Sequence, residues 1–423
     1  MNFFVIVSRR CLIFLVAPFL YISSGYAETD STWTVRSTVA RLQEVSPELR
    51  AAKAKMQSHQ SQKEQAASWD NPTLEIEGND AMGIDDGKGG YDVTRLAITQ
   101  PLGISQRKSR RDVADQEFQS SQEALRYQQL QLQHQAASAF YDLQLADSRH
   151  QLAEERLRLA DEALNPKKDG LVRYLAPAEK IRLGILREEV QQDYLNAKRE
   201  YENAMAHFQN LLNLPPESVV SLAPMAEVSD TAVVKIPEDA LSQHPALRAS
   251  QYERDAAQKR IALTKAERFN APELTLYQER DVLAGQRENI TGIGISMQIP
   301  VWNAGGNSVQ AAHANYERSD AEHLALQRDM QINLRQQQQK LAQLTESEKR
   351  FHSGLLEPAK KLLDMTRRSF AVGDADVLAL VDAHASYFEA RNHHLQLLHD
   401  VGMAHADLAL AAGVPLISEE LQP

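Results

Sequence analysis

Apolar residues recur with a helical period over much of this chain. In the clearest stretch, residues 106–164, they return every seven positions, which is coiled-coil spacing. The spacing predicts one uninterrupted helix, on the order of 90 Å long at about 1.5 Å per residue. The expected packing series is Leu125, Leu132, Ala139, Ala146, Ala153 and Ala160, with Ala136, Leu143, Leu157 and Leu164 on the adjoining row.

A second pattern, with a period of two, interrupts the helical one at residues 73–100 and 273–299. It predicts two β-hairpins whose strands have one apolar and one polar face. The strands are about 8–10 residues long, close to what a tilted membrane-spanning strand needs. The polar face is expected to hold Glu75, Glu77, Arg95 and Glu273. Aromatic residues stand at the helix-side strand ends, where an interfacial girdle would lie, namely Trp69, Phe269 and Trp302.

The chain repeats itself with a period near 200 residues. Four prolines recur in order at offsets of 198, 200, 199 and 200, in the pairs Pro47 and Pro245, Pro72 and Pro272, Pro101 and Pro300, and Pro215 and Pro415. A constant offset of this kind indicates a tandem duplication. Each half predicts a helix, a β-hairpin, a very long helix, a tight turn and a return helix.

The predicted helices span 35–67, 106–164 and 177–212 in the first half and 240–268, 307–370 and 377–412 in the second. Gly354 and Pro358 should kink the long helix of the second half, because proline lacks a backbone donor. The predicted organisation is a signal peptide (1–27), a first repeat (28–215), a linker (216–238), a second repeat (239–415) and a short tail (416–423).

Composition and charge exclude several classes of function. The 423 residues carry a net charge of −11, which argues against a nucleic-acid binder. The single cysteine, Cys11, excludes a disulfide framework and a cysteine-ligated metal site. Cys11 lies between Arg9-Arg10 and an apolar run too short to span a bilayer, so the first 27 residues predict a cleaved secretory signal and an exported, thiol-free mature chain.

Candidate chemistry is sparse. No catalytic triad, zinc-binding motif or pair of catalytic carboxylates stands in a plausible arrangement, so we expect neither an enzyme nor a cofactor or metal site. The histidines of the last helix do not share carboxylates at ligand spacing and predict a packed or solvated helix face. They are His384, His393, His394, His399 and His405.

The hairpins leave two interpretations open. A small soluble sheet covered by the helices would give the same alternation, as would a periplasmic coiled-coil structural or adaptor protein. Membrane strands are favoured because both hairpins lie between very long helices of an exported chain. Four strands cannot close a barrel, since the smallest membrane barrels have about eight. Several chains would therefore have to share one barrel, so that no strand edge faces lipid.

Several motifs resemble those of the TolC-like family of outer membrane efflux proteins, over about residues 35–415. They are Pro-Glu-Leu-Arg at 47–50, Pro-Ala-Leu-Arg at 245–248, Asn-Pro-Thr-Leu at 71–74, Gln-Pro-Leu at 100–102, Ile-Pro-Val at 299–301 and Ser-Phe-Ala-Val-Gly at 369–373. The Asn-Pro-Thr-Leu-Glu strand is similar to the heavy-metal (cobalt–zinc–cadmium) branch. That branch usually has Gly-Gly-Lys-Arg where this chain has Ile-Ser-Gln-Arg-Lys at 104–108.

The resemblance implies a mainly α fold in which long-helix hairpins form an α-barrel and four strands per chain join a trimeric 12-stranded β-barrel. It implies a homotrimer in outer membrane lipid that extends into the periplasm of a Gram-negative cell. Its partners would be a periplasmic adaptor and an inner-membrane pump of the resistance-nodulation-division type. Substrates would be metal cations or small toxic compounds; a channel for type I protein secretion is the alternative.

The far ends of the two helical hairpins are the predicted periplasmic tip. Both present a glycine, Gly170 and Gly373, which permits the backbone that a tight interhelical turn demands. Asp374 and Asp376 follow the second glycine. They are expected to cap the next helix, and three copies near a trimer axis would also form a ring of negative charge.

Overall fold

The chain folds into two similar halves, each with a broken helix, a β-hairpin, a very long helix and a return helix. The computed structural model describes residues 32–79, 93–164, 176–225, 236–237, 239–283, 286–302 and 304–417. The first half contains α1 (Val35–Val45), α2 (Pro47–Ala67), β1 (Thr73–Asn79), β2 (Val93–Pro101), α3 (Ile104–Leu164) and α4 (Pro177–Leu211). The second contains α5 (Ala240–Gln243), α6 (Pro245–Glu267), β3 (Glu273–Leu283), β4 (Gln286–Ser296), α7 (Gly306–Phe351), a π-helical turn (His352–Leu356), α8 (Glu357–Val372) and α9 (Val377–Ala412).

The first helix of each half is broken, and the prediction of single helices over 35–67 and 240–268 is wrong. Ser46 has φ −60° and ψ 122°, since proline disfavours the helical conformation in the residue before it. The Ser46 hydroxyl then caps α2 by accepting from the Leu49 N–H at 3.1 Å. In the second half His244 takes the same place, and its Nδ1 accepts from the Ala246 N–H at 3.1 Å.

Helix α3 is the central element of the molecule. It has 61 residues, and the bounds predicted for it are confirmed to within two residues. Leu132, Ala136 and Leu143 of the expected packing series are buried. Phe140 and Leu159, which lie outside the predicted heptad positions, are also buried. Other faces of α3 are covered because it packs against α1, α2, α4, α6 and α9. None of the described helices carries a stretch apolar enough to cross a membrane.

The long helix of the second half is interrupted where Gly354 and Pro358 predicted a kink. Pro358 is the second residue of α8 and cannot donate to the carbonyl of the preceding turn. The π-helical turn His352–Leu356 lies directly before it and absorbs the break. The interruption divides this helix into the segments α7 and α8.

The four strands form one antiparallel sheet in the order β1-β2-β3-β4. The two hairpins meet at the β2–β3 pair, where the Thr99 and Thr275 hydroxyls are 2.9 Å apart. Within the described residues β1 and β4 each have a strand neighbour on one side only. The sheet therefore has two open edges.

A hydrophobic core lies around the middle of α3, where Trp33, just before α1, meets the segment after α4. The Trp33 N–H donates to the Ser221 carbonyl at 2.7 Å, and the Ala223 N–H donates to the Trp33 carbonyl at 2.9 Å. The Trp33 ring packs edge-on against Phe208, with centroids 5.6 Å apart. Phe208 and Leu143 are fully buried, so this core ties α3 and α4 to the segment that follows them.

The helix break predicts a measurable capping energy. Ser46→Ala removes the hydroxyl that accepts from the Leu49 N–H, and we expect it to lower the free energy of unfolding by about 1 kcal/mol. Urea unfolding followed by far-ultraviolet circular dichroism measures the change. Ser61→Ala, at an exposed position inside the same helix, is the control; equal stability of the two variants would contradict the capping role.

Candidate functional site

One face of the sheet is an exposed apolar surface. Cross-strand partners share a face, and the registers place Leu74, Ile98, Leu276 and Ile293 in one row. Ile76 and Ile295 on the edge strands are 72% and 76% exposed. Contiguous apolar patches of this kind mark contact with a membrane or another protein. The apolar face comprises Leu74, Ile76, Leu96, Ile98, Leu274, Leu276, Ile293 and Ile295.

The opposite face is mostly polar, and most of its charged residues are acidic. The structure places Glu75, Glu77, Arg95 and Glu273 on it, together with Glu279 and Glu288. In the strand register Arg95 lies opposite Glu77 on one side and opposite Glu279 on the other. These five carboxylates accompany one guanidinium, so the face carries a negative field.

Tyr277 is a residue of the polar face that the strand pattern did not single out. Its ring lies 5.0 Å from the Arg95 guanidinium, at cation–π distance. Its cross-strand partner is Gly292, where an added Cβ would overlap the Tyr277 ring. A glycine inside a strand is the sequence signal of such a close approach. Gly292 thus provides the space in which the Tyr277 and Arg95 side chains stack.

The three predicted interface aromatics lie at the helix-side end of the sheet. Trp69 and Phe269 are about half exposed and Trp302 is 96% exposed. The Arg107 guanidinium lies 4.1 Å from the centre of the Trp69 ring. The role of the three aromatic residues at a membrane boundary stays a prediction.

The turn between α8 and α9 is built as its sequence suggests at Gly373. This residue has φ 91°, a left-handed conformation that glycine adopts without strain. The Gly373 and Asp374 N–H groups donate to the carbonyls of Phe370 and Ser369, which closes the end of α8. Gly170 lies outside the described residues.

Of the two acids in this turn, only Asp376 caps a helix. Its carboxylate accepts from the Ala379 N–H at 2.8 Å at the start of α9. Asp374 is exposed, and the expectation that it also caps α9 is wrong, because the chain is still completing the turn at that residue. Its carboxylate is available to the surrounding solvent. The ring of charge formed by three copies stays a prediction.

The histidines of α9 contact different neighbours along the helix. His394 is buried and lies 3.0 Å from a Glu348 carboxylate oxygen of α7. His399 is partly buried, which alone would lower its pKa, but hydrogen bonds to Asp142 and Asp400 raise the pKa above its usual value. Burial, assisted by the positive charges of Arg367 and Arg156, lowers the pKa of His384 to about 4.

His384 and His394 are buried packing residues of α9. Within the described ranges, no three histidine, cysteine or acidic side chains are grouped so that they could hold a metal ion.

The sequence matches a family described as outer membrane efflux protein over residues 39–171 and 236–414. The chain belongs to the outer membrane efflux protein family. The two matched segments correspond to the two halves of the fold. The prediction of an outer membrane efflux protein is therefore confirmed.

Solved channels have the same fold as this family member. CusC is 19% identical, with a TM-score of 0.74 over 92% of this chain and 96% of its own. MtrE of Neisseria gonorrhoeae is 18% identical, with a TM-score of 0.73 over 90% and 89% of the two chains. VceC of Vibrio cholerae is 13% identical, with a TM-score of 0.72 over 90% and 97%. They confirm the predicted fold class, which is mainly helical with duplicated long helices and a small antiparallel β part.

One curated relative is named for the secretion of a protein and not for efflux. The alkaline protease secretion protein AprF of Pseudomonas aeruginosa is 24% identical over 239 residues, which are 53% of this chain. The match spans about half of that protein, 49% of its length.

The lowered pKa of His384 predicts a pH dependence of stability. The unfolded histidine binds a proton below about pH 6.5, whereas the folded one does so only near pH 4. The contribution of neutral His384 to the free energy of unfolding is therefore complete above pH 6.5. It is lost as the pH falls towards 4, by on the order of 2–3 kcal/mol.

Urea unfolding at pH 7.5 and pH 4.5 measures this loss. His384→Leu should lose less stability between these two values than the wild type. His313→Leu, at an exposed position on α7, is the control. It should lose as much unfolding free energy between pH 7.5 and pH 4.5 as the wild type. An equal loss for the wild type and the His384 variant would contradict the lowered pKa of His384 as the cause.

Proposed function

We propose that three copies of this chain form the outer membrane channel of a tripartite efflux system. The observation that carries the proposal is the exposed apolar face of a sheet with open edges at β1 and β4. In hydrocarbon every backbone donor and acceptor needs a partner, so open edges there must pair. Pairing β4 of one copy with β1 of the next closes the sheet. Three copies give 12 strands, above the minimum of about eight for a membrane barrel.

In this arrangement the two sheet faces take separate roles. The apolar face contacts lipid, and Trp69, Phe269 and Trp302 lie at the membrane boundary. The polar face lines the barrel, with Glu75, Glu77, Arg95 and Glu273 facing the passing substrate. Since acids outnumber the arginine, the barrel interior attracts cations.

The long helices continue the channel on the helix-side end of the sheet. A helix of 61 residues such as α3 reaches on the order of 90 Å into the periplasm. The turns at Gly170 and Gly373 form the tip that meets a periplasmic adaptor and, through it, an inner-membrane pump of the resistance-nodulation-division type. The chain reaches the outer membrane after removal of residues 1–27. The pump supplies the energy, and the channel passes substrate without transforming it.

The substrate class that fits an acidic barrel is metal cations or small toxic cations. Protein secretion is the second candidate, because the relative AprF is named for the secretion of alkaline protease. The two are distinguished by what the chain supports in cells that lack it: resistance to small compounds, or release of a protein into the medium.

Crosslinking tests the shared barrel. Glu75→Cys on β1 and Ser296→Cys on β4 place two thiols on opposite edges of one sheet, at least three strand spacings or about 14 Å apart. A bis-maleimide shorter than that distance cannot bridge them within one chain. Between neighbouring copies it can, so we expect covalent dimers and trimers on denaturing gels.

Each single-cysteine variant is the matched control and should give no trimer. A doubly substituted protein that stays monomeric after crosslinking, in preparations that retain the strand signal in circular dichroism, would overturn the shared barrel. Mass photometry in detergent should independently give the mass of three chains.

The tip acids predict charge selectivity. Six carboxylates, Asp374 and Asp376 from each of three chains, would crowd the aperture and favour cations. Asp374→Asn with Asp376→Asn should bring the reversal potential in planar bilayers closer to zero under a salt gradient. Folding should be unaffected, because asparagine caps a helix about as well as aspartate.

Asp364→Asn with Asp382→Asn removes the same charge from exposed positions farther from the turn and is the control. If the tip variant kept the full reversal potential, the ring of charge would be wrong and Asp376 would be a helix cap only.

A further inference from the structure

A basic groove lies between the end of α2 and the start of α3, directly beside the helix-side end of the sheet. It has a volume of about 570 Å³. Its charged lining consists of four cations and two acids, and Ala67 and Ile104 add an apolar rim. The charged residues are Lys63, Arg107, Lys108, Arg111, Asp112 and Asp115.

The cations of this basic groove are only partly neutralised. Lys63 pairs with Asp115 at 2.5 Å. Arg107 stacks on Trp69 and donates to the Ala67 carbonyl at 3.3 Å. For Lys108 and Arg111, both exposed, the part of the chain that the structure describes supplies no ion pair. The groove therefore has a net positive charge, and Lys108 and Arg111 can bind an external anion.

The start of α3 is an unfavourable place for cations. Arg107, Lys108, Arg110 and Arg111 all lie in the first two turns of α3, which has no acidic residue in its first turn. A helix N-terminus carries partial positive charge, so cations there destabilise it and a bound anion stabilises it. Arg110 pairs with Asp70 at 3.2 Å, so Lys108 and Arg111 are the cations whose place at this helix start needs a reason outside the helix.

The second half of the chain shows that the fold does not require them. At the repeat offset of 199, the equivalent positions at the start of α7 are uncharged. They are Gly306, Asn307, Val309 and Gln310. The same helix start is thus built without a basic groove, and the cluster is specific to the first half.

The surroundings of the groove indicate an amphipathic anion. Ile104 is 65% exposed on its rim, and the half-exposed Trp69 ring lies against Arg107. Helix α3 begins three residues after β2 ends at Pro101, so the groove lies next to the helix-side end of the sheet that carries the apolar face. A free phosphate would need the cations but not the apolar rim. A phospholipid needs both.

We propose that the basic groove binds the headgroup of an anionic phospholipid in the periplasmic leaflet of the outer membrane. Lys108 and Arg111 contact the phosphate, while Ile104 and Trp69 lie against the upper acyl chain. The inference rests on the proposed function, which places this end of the sheet at the membrane boundary. Basic side chains at a membrane surface attract anionic lipids in this way.

Native mass spectrometry of the purified channel in a non-ionic detergent tests the site. The protein is titrated with phosphatidylglycerol and, separately, with the zwitterionic phosphatidylcholine. Lys108→Gln with Arg111→Gln should weaken phosphatidylglycerol binding roughly thirtyfold, since each basic residue contributes about fivefold. Lys360→Gln with Lys361→Gln removes the same charge from exposed positions on α8 and should leave the affinity unchanged.

A second measurement separates a binding role from a structural one. Without anionic lipid, the Lys108 and Arg111 variant should unfold at the same temperature as the wild type or higher, because cations have been removed from a helix N-terminus. Phosphatidylglycerol should raise the unfolding temperature of the wild type and of the α8 variant only. A variant that is less stable without lipid would overturn the proposal.

The remaining outcomes are equally decisive. Equal binding of the two lipids by the wild type would overturn the lipid site. Full displacement of phosphatidylglycerol by millimolar inorganic phosphate would show a phosphate site without lipid specificity and would also overturn it. A wild type that prefers phosphatidylglycerol but forms no conducting trimer in planar bilayers would overturn the proposed function alone.

Discussion

The open edges of the four-stranded sheet set the conditions under which the rest of the molecule is stable. One chain exposes an apolar face and leaves β1 and β4 with one strand neighbour each. Water would satisfy those edges but not the apolar face, and lipid would satisfy the face but not the edges. The proposed barrel satisfies both at once, because further strands continue the sheet inside a bilayer. In that proposed barrel the apolar face contacts lipid, the acidic face lines the interior, and the long helices continue from the end that carries the aromatics.

The duplication explains how one chain brings its two hairpins together. Their joint, the β2–β3 pair, links residues 176 positions apart at Thr99 and Thr275. Such a contact depends on the correct return of both helical arms, and α3 supplies it by packing against helices of both halves. The halves have also diverged. The first carries the basic groove at the start of its long helix, and the second carries the π-helical turn.

Local periodicity predicts what local interactions determine, and the long helices and the two faces of each strand were accessible in this way. The breaks at Ser46 and His244 were missed, although Pro47 and Pro245 are local signals, because the apolar pattern continues across them. The stack of Tyr277 on Arg95 depends on the register between strands from different halves, which no short segment contains. The buried faces of α3 outside the heptad were missed for the same reason. A single heptad describes one partner helix, whereas α3 has five.

The π-helical turn at His352–Leu356 shifts the packing frame of the second half by one residue. In α7 the buried positions Leu341 and Glu348 are seven apart, so the next member of that series would be residue 355. Leu355 is instead 49% exposed and Leu356 is buried, after which Leu363 and Phe370 continue the new series. A π-turn accommodates one extra residue in this way. The arm of the second half is therefore two coiled-coil segments with separate reading frames, and the packing of α8 can change in sequence without altering the packing phase of α7.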